Sequence, residues 1–134
     1  MITAFYAGIF GLFHLGLTLY VIFGRWRFEV SLGDGGERYL RRRIRAHGNF
    51  TENVPIALIL MYFAEMHLLE SYWIHLCGIG LIISRTLHFI GFIQDHSTNR
   101  YRQVGMALTM MIIGLISSSI VIGLAQKVIV HANG

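Results

Sequence analysis

From Ile2 to Phe23 the chain runs through 22 residues without one Asp, Glu, Lys or Arg. As an α-helix rising 1.5 Å per residue, such a run reaches roughly 33 Å, enough to cross the hydrocarbon core of a bilayer. It begins without a basic leading region and ends without a small-residue cleavage site, so it reads as a retained span and not as a removable signal. His14 falls near its middle, where an imidazole is accommodated by hydrogen bonding to a neighbouring helix.

The rest of the chain keeps to the same solvent. Of its 134 residues 54% are hydrophobic and 13% charged, against about a quarter charged in soluble domains. Three further apolar stretches predict spans at about 46–69, 73–93 and 104–130, after the first at about 2–23. The expectation is an all-α membrane protein, a four-transmembrane-helix bundle formed by a single domain over 1–134. Pro55 should kink the second helix, and Tyr72 and Trp73 should anchor the start of the third. Ser117, Ser118 and Ser119, with the glycines of the fourth span, suit close helix packing. Cys77, the one cysteine, has no partner for an intrachain disulfide and reads as a small buried hydrophobe.

Ten arginines and one lysine give a net charge of +4. The cations cluster beside the spans: Arg25, Arg27, Arg38, Arg41, Arg42, Arg43 and Arg45 before the second, and Arg100 and Arg102, with Asp95 and His96, before the fourth. The connection around Glu65 to Tyr72 holds no Lys or Arg. Positive-inside bias explains this pattern without nucleic acid, places both arginine-rich segments on the cytoplasmic side and puts both termini outside. Between the first two spans, Gly33-Asp34-Gly35-Gly36 reads as a turn, and Glu37 opens an amphipathic prelude to the second helix.

Two spans carry ionisable groups. In the second, Arg45, Asn49 and Glu52 stand at i, i+4 and i+7, aligning a cation, an amide and an anion on one face, with His47 and Asn53 off that row. In the third, Arg85 and His88 share a face. A charged side chain in hydrocarbon costs roughly 2.5 to 3.5 kcal/mol on insertion scales, so each needs a partner or a purpose. Glu52, Arg85 and His88 lie at similar depth, and a Glu52–Arg85 pair would relieve both charges as pure architecture. It would leave Arg45, Asn49 and Arg102 unexplained. A site for a small charged ligand on the cytoplasmic third of the bundle, under the basic segment, accounts for them together.

The run Arg45-Ala46-His47-Gly48-Asn49-Phe50-x-Glu52-x-x-Pro55, then Arg85-x-x-His88-x-x-Gly91, then Arg102-x-x-Gly105 resembles the family of membrane-associated proteins in eicosanoid and glutathione metabolism, in the form of a small bacterial-type member. The resemblance implies a homotrimer of four-helix subunits with glutathione bound between neighbours on the cytoplasmic side. Carried over by position, it implies that Arg45, Asn49 and Glu52 bind glutathione, with His47 in the same motif. Arg85 and His88 match polar residues of the family's third helix, and Arg25 or Arg27 a loop arginine that reaches the neighbouring subunit. Arg102 matches the arginine that faces the sulfur, with Arg100 as the second choice. Two positions depart from the family: Phe92 stands where several members have a tyrosine, and Gly48 where some have a further arginine.

The chemistry agrees with that implication. Glutathione presents two carboxylates, an ammonium and a thiol; Arg45 with a second arginine suits the carboxylates through forked hydrogen bonds, and Glu52 suits the ammonium. The implied function is a membrane glutathione transferase or peroxidase acting on a hydrophobic electrophile or lipid hydroperoxide that enters from the bilayer between helices one and four. The alternative is a non-catalytic lipid-binding or scaffold member of the same family. A third reading, haem held by His47 and His88, is disfavoured because His47 stands off the Glu52 row. No metal site is expected.

Overall fold

The computed structural model describes residues 1–94 and 99–132, apart from the side chain of His131. Asp95 and His96, read above as part of a cytoplasmic connection, lie outside the described residues. The described residues form four helices in sequence order: α1 (Ile2–Phe28), α2 (Arg38–His67), α3 (Ser71–Ile93) and α4 (Arg100–Ala132). Helices α1 and α3, together with Arg100–Val130 of α4, are long and apolar enough to cross a membrane. Helix α2 does not join them on composition, because its first half carries Arg38, Arg41, Arg42, Arg43, Arg45 and Glu52.

Helix α1 packs along α2 and α3 along α4, while α2 touches all three of the others. Among the described residues α1 and α4 do not meet. Helices one and four, expected above to flank the route of a hydrophobic substrate, are therefore not neighbours within one chain.

The buried faces follow helical spacing. In α1 they are Thr3, Tyr6, Phe10, Leu17 and Gly24; in α2 Ala46, Phe50, Val54, Ala57, Met61 and Ala64; in α3 Ile74, Gly78, Leu81, Ser84, Arg85, His88 and Gly91. Gly105, Thr109, Ile112 and Ile116 supply the matching stripe of α4. Lipid is as apolar as leucine, so close packing and interhelical hydrogen bonds hold such a bundle together. Ser84 Oγ and Thr109 Oγ1 form one such bond, 2.9 Å apart and fully buried. At the opposite end the Glu65 carboxylate accepts from the backbone N–H groups of Ile2 and Thr3, satisfying the first turn of α1 from a neighbouring helix.

Helix α2 begins eight residues before the span expected at 46, so the basic run is its first two turns. Its N-cap is Glu37, after a turn in which Asp34 accepts from the backbone N–H of Gly36 at 3.0 Å and pairs with Arg41. The helix passes through Pro55 without interruption. Pro55 and Thr51, whose carbonyl loses its usual donor, both lie on the exposed side, where the proline ring displaces no neighbour. Beside it a groove of about 280 Å³ opens between α1 and α2, lined by Phe10, Gly11, His14, Val54 and Pro55 among others.

Candidate functional site

Helices α3 and α4 approach closely where the polar groups lie. A Cβ on Gly91 would sit 2.6 Å from the backbone N of Arg102, and one on Gly105 would sit 2.5 Å from the Ser84 carbonyl oxygen. Both glycines are therefore needed for this spacing. At the start of α4, Asn99 accepts from the N–H of Tyr101 at 2.9 Å, a side-chain cap on an otherwise open helix end. Capping and close packing together fix the direction in which Arg102 leaves the helix.

The result is a groove of about 680 Å³ between α2, α3 and α4. Arg41, Arg42, Arg45 and Asn49 wall it from α2, His88 and Phe92 from α3, and Arg102, Gln103, Met106, Ala107 and Met110 from α4. Arg102 lines it and Arg100 is not among its lining residues. The Arg102 guanidinium lies 5.4 Å from the centroid of the Phe92 ring, so Phe92 presents a π-face to the cation where a tyrosine would also have offered a hydroxyl.

Beneath the groove Arg85 is 2% exposed. It donates from Nη1 to Asn49 Oδ1 at 2.9 Å and from Nη2 to Thr109 Oγ1 and to the Gly105 carbonyl at 3.4 Å. These bonds orient Asn49, whose Nδ2 points to Met106 Sδ at 3.7 Å. The expected Glu52–Arg85 pair is not formed. Glu52 is exposed, and among the described residues it has no hydrogen bond or ion pair. The cause is helical phase: three residues beyond Asn49 is roughly 60° further from the face of α2 that meets α3 and α4. Glu52 therefore stands on the outer surface of the chain.

His88 donates from Nδ1 to the Arg102 carbonyl at 2.9 Å, and its ring packs edge-on to Phe92 with centroids 5.1 Å apart. The neutral imidazole then carries its free acceptor on Nε2, which is buried with no partner. His47 lies elsewhere. Two residues from Arg45 is about 200° round the helix, so its ring stands 4.9 Å from that of His14, with Nε2 3.2 Å from Thr18 Oγ1. The two histidines of the haem reading are thus on different sides of α2. Arg25 is likewise away from the groove: it donates to the carbonyls of Ser31 and Gly33 and holds the α1–α2 turn.

The structure thus brings together Arg45, Asn49, His88 and Arg102, with Arg85 directly behind, and leaves Glu52, His47 and Arg25 outside the groove of a single chain. Sequence reasoning passed over Gln103, Met106 and Met110. Their successive steps of three residues (Gln103 to Met106) and four (Met106 to Met110) were the available signal, but they match an ordinary packed face equally well.

A sequence profile of the MAPEG family matches residues 3–122. The inner membrane protein YecN of Escherichia coli strain K12 is 39% identical over 109 residues, covering 81% of this chain and 82% of the relative. The YecN protein of Escherichia coli O6:H1 strain CFT073 matches to the same extent.

Proposed function

The chain belongs to the MAPEG family, and from that premise we propose that it is a membrane glutathione transferase or peroxidase, working as a homotrimer with its glutathione site on the cytoplasmic side. The observation that carries the reading is the single groove uniting Arg45, Asn49, His88 and Arg102 over a floor of Phe92, Met106 and Met110. Cations surround a ligand with two carboxylates and a thiol, and apolar walls stand ready for a hydrophobic co-substrate.

In this reading Arg45, with Arg41 or Arg42, takes the carboxylates through forked hydrogen bonds. Asn49, fixed by Arg85, meets the peptide backbone, and the His88 ring lines the groove beside it. Glu52 takes the ammonium of a glutathione held in the groove of the adjoining subunit. That assignment gives a purpose to a carboxylate which otherwise faces lipid, and it requires the homotrimer.

Arg102 stabilises the thiolate. Lowering a thiol pKa from about 8.5 to about 6.5 takes roughly 2.7 kcal/mol of preferential stabilisation, which one arginine in a poorly hydrated groove supplies. The thiolate sulfur then attacks an electrophilic carbon, forming a C–S bond as the leaving group departs with the bonding electrons. With a hydroperoxide it attacks the distal oxygen; a second glutathione resolves the sulfenic acid, and the products are an alcohol, water and glutathione disulfide.

Detergent-solubilised protein should bind glutathione and conjugate a chlorinated aromatic compound. Absence of binding at millimolar glutathione would favour the second reading, a lipid-binding or scaffold member. The outward position of Glu52 in the single chain is the observation on that side.

A further inference from the structure

A second cavity, which shares Arg42 and Phe92 with the groove, sits where α1 ends, α2 begins and α3 ends. It is narrower and more enclosed, about 260 Å³, and is lined by Tyr20, Arg27, Phe28, Tyr39, Arg42, Arg43, Phe92 and Ile93. Among the described residues, none of those that line it is acidic.

Its depth is set by what surrounds it. The uncharged run of α1 ends at Phe23; Tyr39, 57% exposed, lines the cavity, and Trp26, 71% exposed, stands on α1 next in sequence to its lining residue Arg27. Exposed Trp and Tyr beside the end of an apolar helix mark the headgroup layer of a bilayer. The cavity therefore opens at the level of lipid phosphates.

Its central cation is built in and does not wave in solvent. Arg43 crosses α1 at Gly24, where any Cβ would stand 2.8 Å from Arg43 Cδ. Its Nη1 donates to the Tyr20 carbonyl at 2.9 Å, and its guanidinium lies 4.1 Å from the centroid of the Tyr20 ring. Two contacts thus fix the plane of the fork, and its remaining N–H groups stay available as donors. Arg27, 5.9 Å from the centroid of the Phe28 ring, brings a second cation to the same cavity. The Tyr39 hydroxyl, on the first turn of α2, adds a neutral donor.

We propose that this cavity binds the phosphate of an anionic membrane lipid, with Arg43 and Arg27 gripping the phosphate oxygens and Tyr39 donating to one of them. Planar guanidinium forks match a phosphate, and an anion between two cations removes the repulsion of placing them in one enclosed space. Phe28 and Ile93 line the side on which a glycerol backbone would lie. A zwitterionic lipid offers the same phosphate but brings a quaternary ammonium into a cationic wall.

The test uses the whole protein, delipidated in a non-ionic detergent, with dihexanoyl phosphatidylglycerol, dihexanoyl phosphatidylcholine and inorganic phosphate as separate probes below their micellar concentrations. Binding is read by native mass spectrometry and by the shift in Tm. Phosphatidylglycerol should bind at one site per chain and raise Tm, with phosphatidylcholine and inorganic phosphate each roughly tenfold weaker, the equivalent of one lost interaction of about 1.4 kcal/mol. Arg43→Gln should weaken the phosphatidylglycerol adduct by about the same factor. Arg27→Gln, on an exposed side chain that leaves the packing intact, should do likewise and guards against a folding defect in the first variant. Equal binding of phosphatidylcholine, or phosphatidylglycerol binding indifferent to both variants, would overturn the proposal. Equal binding of inorganic phosphate would overturn the lipid as the occupant. None of these readouts measures glutathione binding, so a failure here is distinguishable from a failure of the proposed function even though the two cavities share Arg42 and Phe92.

Discussion

Arg85 carries its charge among an amide, a carbonyl and a hydroxyl, and through the first of these it decides where Asn49 points. Removing the amide leaves a buried N–H without an acceptor, which costs roughly 1–3 kcal/mol. Asn49→Ala should accordingly lower Tm as well as weaken glutathione binding, whereas an Asn49 that only touched ligand would leave Tm alone. Arg102→Ala is expected to behave in the opposite way. Its guanidinium stacks on Phe92 and supports no backbone, so the variant should fold, keep most of its affinity and lose most of its turnover, because thiolate stabilisation matters in the reaction more than in ground-state binding. Collapsed affinity with surviving turnover at saturation would make Arg102 a binding residue instead. At this scale the sequence was readable where charge stood out against apolar surroundings. Arg45, Asn49, His88 and Arg102 declared themselves that way. Met106 and Met110 did not, since an apolar side chain on a helix looks the same whether it lines a groove or faces lipid.

The elements were legible in number and order but not in extent. Hydropathy stops where charges begin, yet α1 runs on to Phe28 and α2 starts at Arg38, because a helix emerging into the headgroup layer keeps its backbone hydrogen bonds as its side chains turn polar. Phase was the harder quantity. Arg45, Asn49 and Glu52 do share a row on α2, but the row is roughly 60° wide, and packing against α3 and α4 takes in its Asn49 edge and leaves out its Glu52 edge. The contact between α3 and α4 yields a direct prediction: Gly105→Leu should be more damaging than Gly114→Leu, since the first side chain would meet the Ser84 carbonyl and His88 while the second meets open space. Thermal unfolding of the two variants checks it. The turn before α2 supplies a pH dependence. The hydrogen bond from Arg41 holds the Asp34 carboxyl below its ordinary value of 3.8. A lowered carboxylate pKa stabilises the turn fully above that ordinary value, and the effect fades as pH falls through the lower folded one. Amide-exchange protection across residues 30–37 should hold at pH 5 and decline below about pH 4, and Asp34→Asn should abolish that decline.

At the scale of the whole molecule, the proposed glutathione site draws on more than one chain. Glu52 stands outside the groove that holds the cations, and α1 and α4 do not meet among the described residues, so under the proposed function the acid for the ammonium and an entry between those helices both come from another copy. The sequence reaches this only through the family resemblance, because residue spacing records which residues exist and not which chain supplies them. Native mass spectrometry should find a trimer, and Glu52→Gln should weaken glutathione binding roughly tenfold or more, the loss of about one charge-assisted hydrogen bond, while leaving Arg102-dependent thiolate formation intact at saturation. The most direct measurement of the account is a glutathione titration of the purified protein at pH 7, followed by the ultraviolet absorbance of the thiolate. With a thiol pKa brought to about 6.5, roughly three-quarters of the bound glutathione should be ionised, and the absorbance should saturate with binding and vanish in Arg102→Ala. Saturable binding with no thiolate signal, or no binding at all, would contradict it.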